Sequence, residues 1–122
     1  MTAYSRGDVV LVNFLFTDES TAKRRPGVIV SADIYNLGRQ EVIIAAITSN
    51  VGRLMMGDHV IDGWQKAGLL LPSLATGIIR TIRQEMIYRR LGAMPSTDMQ
   101  AIENVLRQTL GLTPETPEPF CR

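Results

Sequence analysis

Residues 42–48 read VIIAAIT, apolar at every position but the last and β-branched at most of them. A surface helix needs a polar stripe, and this run has none. It reads as a strand buried on both faces. Upstream, DVVLVNFL (8–15) is similar, with Asn13 alone interrupting, and GVIVS (27–31) makes another strand. Downstream, DHVID (58–62) alternates polar with apolar, as a strand with one wet face does. IIRTIR (78–83) is a fifth strand, and MIYRRLG (86–92) holds a short sixth.

The connections follow from composition. TDESTAKRR (17–25) reads as a mobile loop, and Pro26 forces Arg25 into an extended conformation because its ring crowds the helical region of the residue before it. A wide hairpin between 8–15 and 27–31 results. Residues 33–36 make a turn with one short helical turn, and SNVGRLMMG (49–57) is a connection. GWQKAGLLLPSLATG (63–77) reads as a turn with a brief helix over 64–68, then an extended arm. One long helix is legible. Pro95 and Ser96 open it with Ser96 as N-cap, and Asp98 suits the first turn. Met99, Ile102, Val105, Leu106 and Leu110 recur at helical spacing as core or dimer packing, and Gly111 closes it. The expected class is α+β: a small antiparallel β-barrel with a C-terminal α-helix. Many functions use such barrels, so the fold alone selects none.

Length and composition narrow the classes. The 122 residues fit one domain over 1–112, with 45% hydrophobic and 20% charged residues, the balance of a soluble globule. TPETPEPFCR (113–122) is Pro- and Glu-rich and reads as a disordered tail. Cys121 is the single cysteine, which excludes a disulfide scaffold or multi-cysteine metal site within one chain. One His, one Cys and scattered carboxylates show no metal-ligand spacing, and no phosphate loop or dinucleotide motif occurs, so neither metal nor cofactor is expected. No run approaches the ~18 apolar residues that span a bilayer, and the N-terminus lacks a signal-peptide core, so the expected location is the cytoplasm. The RGD at 6–8 leads straight into a strand, against an adhesion role. Net charge is +1, yet Lys23, Arg24 and Arg25 form one basic run, and Arg80, Arg83, Arg89 and Arg90 crowd a second segment. A local basic surface can hold a phosphate chain whatever the net charge.

The order of short motifs resembles the MazF/PemK family of type II toxin–antitoxin ribonucleases. RGDVVLV (6–12) is followed by NFLFTD, then KRRPGVIVS (23–31), AAITSN (45–50), GLLLPS (68–73), IRTI (79–82), RRLG (89–92) and a terminal helix. The FTD variant is closer to the PemK branch. The resemblance runs from about residue 6 to 112. It implies an SH3-like barrel, a homodimer, and metal-independent cleavage of single-stranded RNA to 2′,3′-cyclic phosphate and 5′-hydroxyl ends. It also implies an antitoxin peptide that inhibits by occupying the RNA groove.

Cleavage by RNA's own 2′-hydroxyl needs a base, a donor for the phosphorane's added charge and an acid for the leaving oxygen. Arg25 suits the second task, since a guanidinium fork matches two phosphate oxygens and stays charged. The resemblance gives it a proton-transfer role too, which is costly for a guanidinium because it holds its proton so firmly. Thr48, at the end of its strand, can offer its hydroxyl to a phosphate oxygen. Arg25 and Thr48 are thus the expected catalytic pair. Asp18 and Glu19 could orient the guanidinium or help in proton transfer, and with Lys23, Arg24, Ser49, Asn50, Arg80 and Thr81 they make up the expected RNA-binding set. Each also has a plain structural use, as loop solubility, turn or strand propensity. Where several family members carry a polar residue before the Arg-Thr pair, this chain has Ile79, which puts that contact and the base preference in doubt. His59, the single imidazole, sits outside the motifs and is left out of the site. The alternatives are a non-catalytic toxin on the same barrel that poisons a protein such as gyrase, as CcdB relatives do, and an inactive SH3-like binding module.

Overall fold

Strand β1 (Asp8–Leu15) divides its valines between two apolar clusters. Val9 joins Val28, Ala45, Ile47, Met99 and Ile102 on one side, while Val10 and Val12 join Ile29, Val42, Ile44 and Ile82 on the other. Period-2 alternation along an apolar strand produces that division, and it explains why the strand carries no polar face. The computed structural model describes residues 4–15 and 22–112. Its further elements are β2 (Ala22–Ile29), α1 (Asp33–Gly38), β3 (Glu41–Thr48), β4 (His59–Val60), β5 (Leu74–Arg83), a 3-10 turn (Gln84–Met86), β6 (Ile87–Ala93) and α2 (Ser96–Leu110).

The strands form one antiparallel sheet in the order β4-β5-β3-β2-β1-β6, and α2 supplies Met99 and Ile102 to the first cluster. This is the expected α+β class. The expected closure is absent: β4 and β6 end the order, and among the described residues no ladder joins them. Backbone packing brings the turn at 62–68 against β6 instead. A β-carbon on Gly68 would stand 2.2 Å from the Leu91 carbonyl oxygen, and one on Gly92 would stand 2.6 Å from that of Ala67. Gly68 also has φ +85°, which L side chains rarely adopt. Gly68→Ala is expected to cost about 3 kcal/mol or more, read from urea unfolding. An unchanged midpoint would mean that the two backbones do not meet.

Several boundaries differ from the sequence reading. β5 begins at Leu74 rather than Ile78, because its pairing with β3 extends to Thr48–Leu74. β2 begins at Ala22 rather than Gly27, because its pairing with β1 continues outward through Arg24 and Lys23 to Leu15–Ala22. β4 shrinks to two residues. Asp58 turns back on Met55 through two hydrogen bonds, and the N–H groups of Asp62 and Gly63 donate to Asp98 rather than to a neighbouring strand. Residues 64–68 form hydrogen-bonded turns, not a helix, ending at left-handed Gly68. Pro95 takes the N-cap position of α2 without a side-chain cap, so Ser96 is the first helical residue. Gly111 closes α2 in the left-handed conformation, as expected. Of the helix stripe, Met99 and Ile102 are buried, Leu106 packs against the first cluster, and Leu110 is exposed. The tail at 113–122 lies outside the described residues.

Candidate functional site

The β2–β3 ladder runs Ile29 to Ile44, Val28 to Ala45 and Gly27 to Ala46, and stops there. Pro26 comes next and has no N–H to donate. Continued by one more pair of steps, the same register would set Arg25 opposite Thr48. The strands part at that point. β2 stays with β1, while β3 keeps its ladder to β5 as far as Thr48–Leu74.

A second irregularity bends the opposite wall. Ala45 faces Ile79 and Ile47 faces Ala75, so Ala46 stands against three residues of β5. The Thr76 hydroxyl donates to the Ala46 carbonyl (2.8 Å) and accepts the Ile78 N–H (3.2 Å), replacing the interrupted backbone ladder. At this opening lies a cavity of about 820 Å³. It is lined by Arg24, Arg25 and Pro26 from β2, Thr48 and Ser49 from the end of β3, Thr76, Ile78 and Arg80 from β5, and Arg89 and Leu91 from β6. Leu69, Leu70 and Leu71 complete one side.

The cavity's chemistry is uniform in sign. Arg24, Arg25, Arg80 and Arg89 line it, and no carboxylate stands among the described lining residues. Arg25 is exposed, and no ion pair holds it among the described residues. Thr48 Oγ1 accepts the Asn50 N–H at 3.1 Å, which orients the hydroxyl and leaves its proton available to an incoming acceptor. Apolar walls beside a guanidinium cluster suit a ligand with charged phosphates and flat bases.

A model of PemK-like, MazF-like toxins of type II toxin–antitoxin systems matches residues 5–110. The chain belongs to this family. Among relatives of this MazF-like toxin, endoribonuclease MazF2 of Mycobacterium bovis and endoribonuclease MazF6 of Mycobacterium tuberculosis are each 33% identical over 94 residues, covering 75% of this chain and 82% of the relative. A mycobacterial endoribonuclease solved with its cognate antitoxin superposes with a TM-score of 0.74 at 21% identity, over 96% of this chain and all of that one. The MazE–MazF complex of Deinococcus radiodurans gives 0.78 at 16% identity, over 93% of this chain and all of the other. Likeness at such identity speaks for the fold.

Within the toxin domain the expected site residues divide clearly. Arg24, Arg25, Thr48, Ser49 and Arg80 meet in the cavity, and Asn50 adjoins it through its bond to Thr48. Lys23 lies one position further out on β2, exposed. Thr81 alternates to the other side of β5 from Arg80, the side on which Ile79 packs into the first cluster. Asp18 and Glu19 lie outside the described residues. Arg89 was not among the expected site residues. Adjacent strand residues point apart, and the pair at 89–90 divides accordingly: Arg89 lines the cavity, while Arg90 Nε donates to Asp8 Oδ1 at 3.0 Å. Only the register against β1 tells which arginine goes where.

Several other polar groups of the MazF-like toxin are tied into the fold. Arg6 of the RGD donates to the Val30 carbonyl and to Glu103 (2.7 Å), and Asp8 accepts from Ser5 N and Arg90. His59 Nε2 stands 2.8 Å from buried Asp98 and does not line the cavity. Among the described residues no three His, Cys, Asp or Glu gather as metal ligands, and no helix is long and apolar enough to cross a membrane.

Proposed function

We propose that this toxin is a metal-independent endoribonuclease that cuts single-stranded RNA by in-line attack of the substrate's own 2′-hydroxyl. The observation that carries the reading is the end of the β2–β3 ladder at Gly27–Ala46, beside a cavity lined by Arg25 and Thr48 together with Arg80 and Arg89. Arg25 binds two phosphate oxygens and neutralises the charge that grows on the phosphorane. Thr48, with one lone pair taken by the Asn50 N–H, donates a hydrogen bond from its hydroxyl to a non-bridging oxygen. Ser49, Arg80 and Arg89 hold flanking phosphates and sugars, and Leu69, Leu70 and Leu71 meet bases. The products of such an attack are a 2′,3′-cyclic phosphate and a 5′-hydroxyl.

The finer architecture belongs to the same reading. SH3-like curling of the open sheet accounts for Val10, Val12, Ile29 and Val42, all fully buried on a face against which, outside the strands, only Tyr4 and Met86 pack among the described apolar side chains. The toxin works in the cytoplasm as a homodimer, for which Leu54, Met55, Met56 and Val60 offer exposed apolar surface. A cognate antitoxin silences it by laying an acidic, amphipathic segment into the arginine-lined cavity.

Incubation in EDTA with a long unstructured RNA, followed by end-mapping, tests the proposal. Discrete cuts with 5′-hydroxyl ends are expected. Thr48→Ala is expected to slow them by about 10- to 100-fold, the loss of one hydrogen bond to a charged group. A folded protein that leaves RNA intact would return the reading to a toxin aimed at a protein target.

A further inference from the structure

Beside the cavity, three adjacent strands set Arg24, Asn13 and Tyr88 in a row. Asn13 faces Arg24 across the β1–β2 ladder, and its Oδ1 accepts from Arg24 Nε at 3.1 Å. On the other side of β1 the register slips: Leu11 faces Arg89 and Val12 faces Ile87, so Tyr88 is the extra residue of a bulge. In regular alternation Tyr88 would point away from Arg89. The bulge re-aims its ring under Arg24, whose Cζ lies 3.8 Å from the ring centroid. Arg24 is thereby held flat, with one face on the tyrosine and Nε tied down. Both side chains are exposed, and Arg24 itself lines the cavity directly beside Arg25.

A guanidinium plane fixed in this way is a surface on which a nucleobase can stack, and proteins that read single-stranded RNA use such planes. Resting on the ribonuclease reading, we infer that Arg24 is the stacking platform for the base next to the scissile phosphate. It sets a purine preference there, because a purine overlaps the plane over a larger area. Tyr88 and Asn13 are its positioning residues. Neither enters the reaction itself.

The test is a cycle between residue and base. Deoxyribose oligonucleotides lack the attacking hydroxyl, so binding can be followed by fluorescence anisotropy without cleavage. Each base in turn is replaced by an abasic site. For the wild-type protein, removal of one particular base is expected to weaken binding about tenfold. With Arg24→Lys, which keeps the charge and loses the plane, the same removal is expected to cost nothing. Tyr88→Leu should behave likewise, and Tyr88→Phe should recover the tenfold step. On an RNA pool randomised around the cut, Arg24→Lys should level the purine preference at that single position and leave the others intact. The inference is overturned if base removal costs Arg24→Lys as much as wild type, if all positions cost alike, or if cleavage of every sequence falls evenly. Wild-type protein that shows the tenfold step but cuts no RNA would sink the ribonuclease reading and leave the platform standing. Cutting without any such step would do the reverse.

Discussion

Arg25→Ala is expected to lower RNA cleavage by about 100- to 1,000-fold, the usual loss when a single donor to a developing oxyanion is removed. The fold should survive unchanged. Arg25 is exposed and has no ion-pair partner among the described residues, so its truncation should move stability by no more than about 0.5 kcal/mol. Its neighbour Pro26 and the β1 pairing hold the backbone extended whatever side chain stands at 25. Arg25→Lys is expected to give an intermediate loss, because an ammonium keeps the charge and forfeits the bidentate fork. The measurement is the initial rate of appearance of 5′-hydroxyl ends, with unfolding followed in parallel. Undiminished cutting by a folded Arg25→Ala protein would remove Arg25 from the chemistry and leave the cavity as a binding groove only.

The second large effect concerns stability. Asp98 lies in the first turn of α2, only 2% exposed, and its carboxylate accepts from His59 Nε2 (2.8 Å), Asp62 N–H (2.9 Å) and Gly63 N–H (2.9 Å). Burial pushes its pKa up. The hydrogen bonds from His59, Asp62 and Gly63 and the nearby imidazole more than reverse this, so the group titrates below the ordinary aspartate range. Asp98→Ala strands two backbone donors and is expected to cost about 3 kcal/mol at pH 7. The folded value lies below the unfolded ~3.9, so the folded state binds fewer protons at this site. Its contribution is therefore full well above that value and is lost as pH falls through it toward the folded pKa. Urea unfolding at pH 7 and at pH 3 should show the wild type losing more stability than Asp98→Asn over that interval. Equal losses would mean that this carboxylate does not govern the acid limb.

Both effects depend on residues whose roles differ in how visible they are along the chain. Within the ordered set of motifs that resembles the family, KRRP marks Arg25 as a candidate and AAITSN marks Thr48; either motif alone reads as well as a solvated charge run or a strand end. Asp98 gives only the signal of a favourable residue near a helix start. Its bonds to His59, 39 positions away, and to the 62–63 backbone have no local signature. Tyr88 reads as an ordinary strand residue, and nothing near it along the chain announces a bulge.

The amino-acid sequence by itself determined where the chain can form strands, because two-sided apolar runs such as 8–15 and 42–48 are stable only inside a covered sheet. It determined the terminal helix and its end at Gly111, through 3.6-residue periodicity and a left-handed cap. It also carried the ordered motifs that mark the family. Tertiary structure alone decided that the β2–β3 ladder stops at Gly27, that β2 reaches back to Ala22, that Arg89 rather than Arg90 meets the cavity, and that Thr81 turns away from it. The reason is register. Alternation assigns each side chain to one of two faces, but which face becomes the cavity depends on strands that meet from distant parts of the chain.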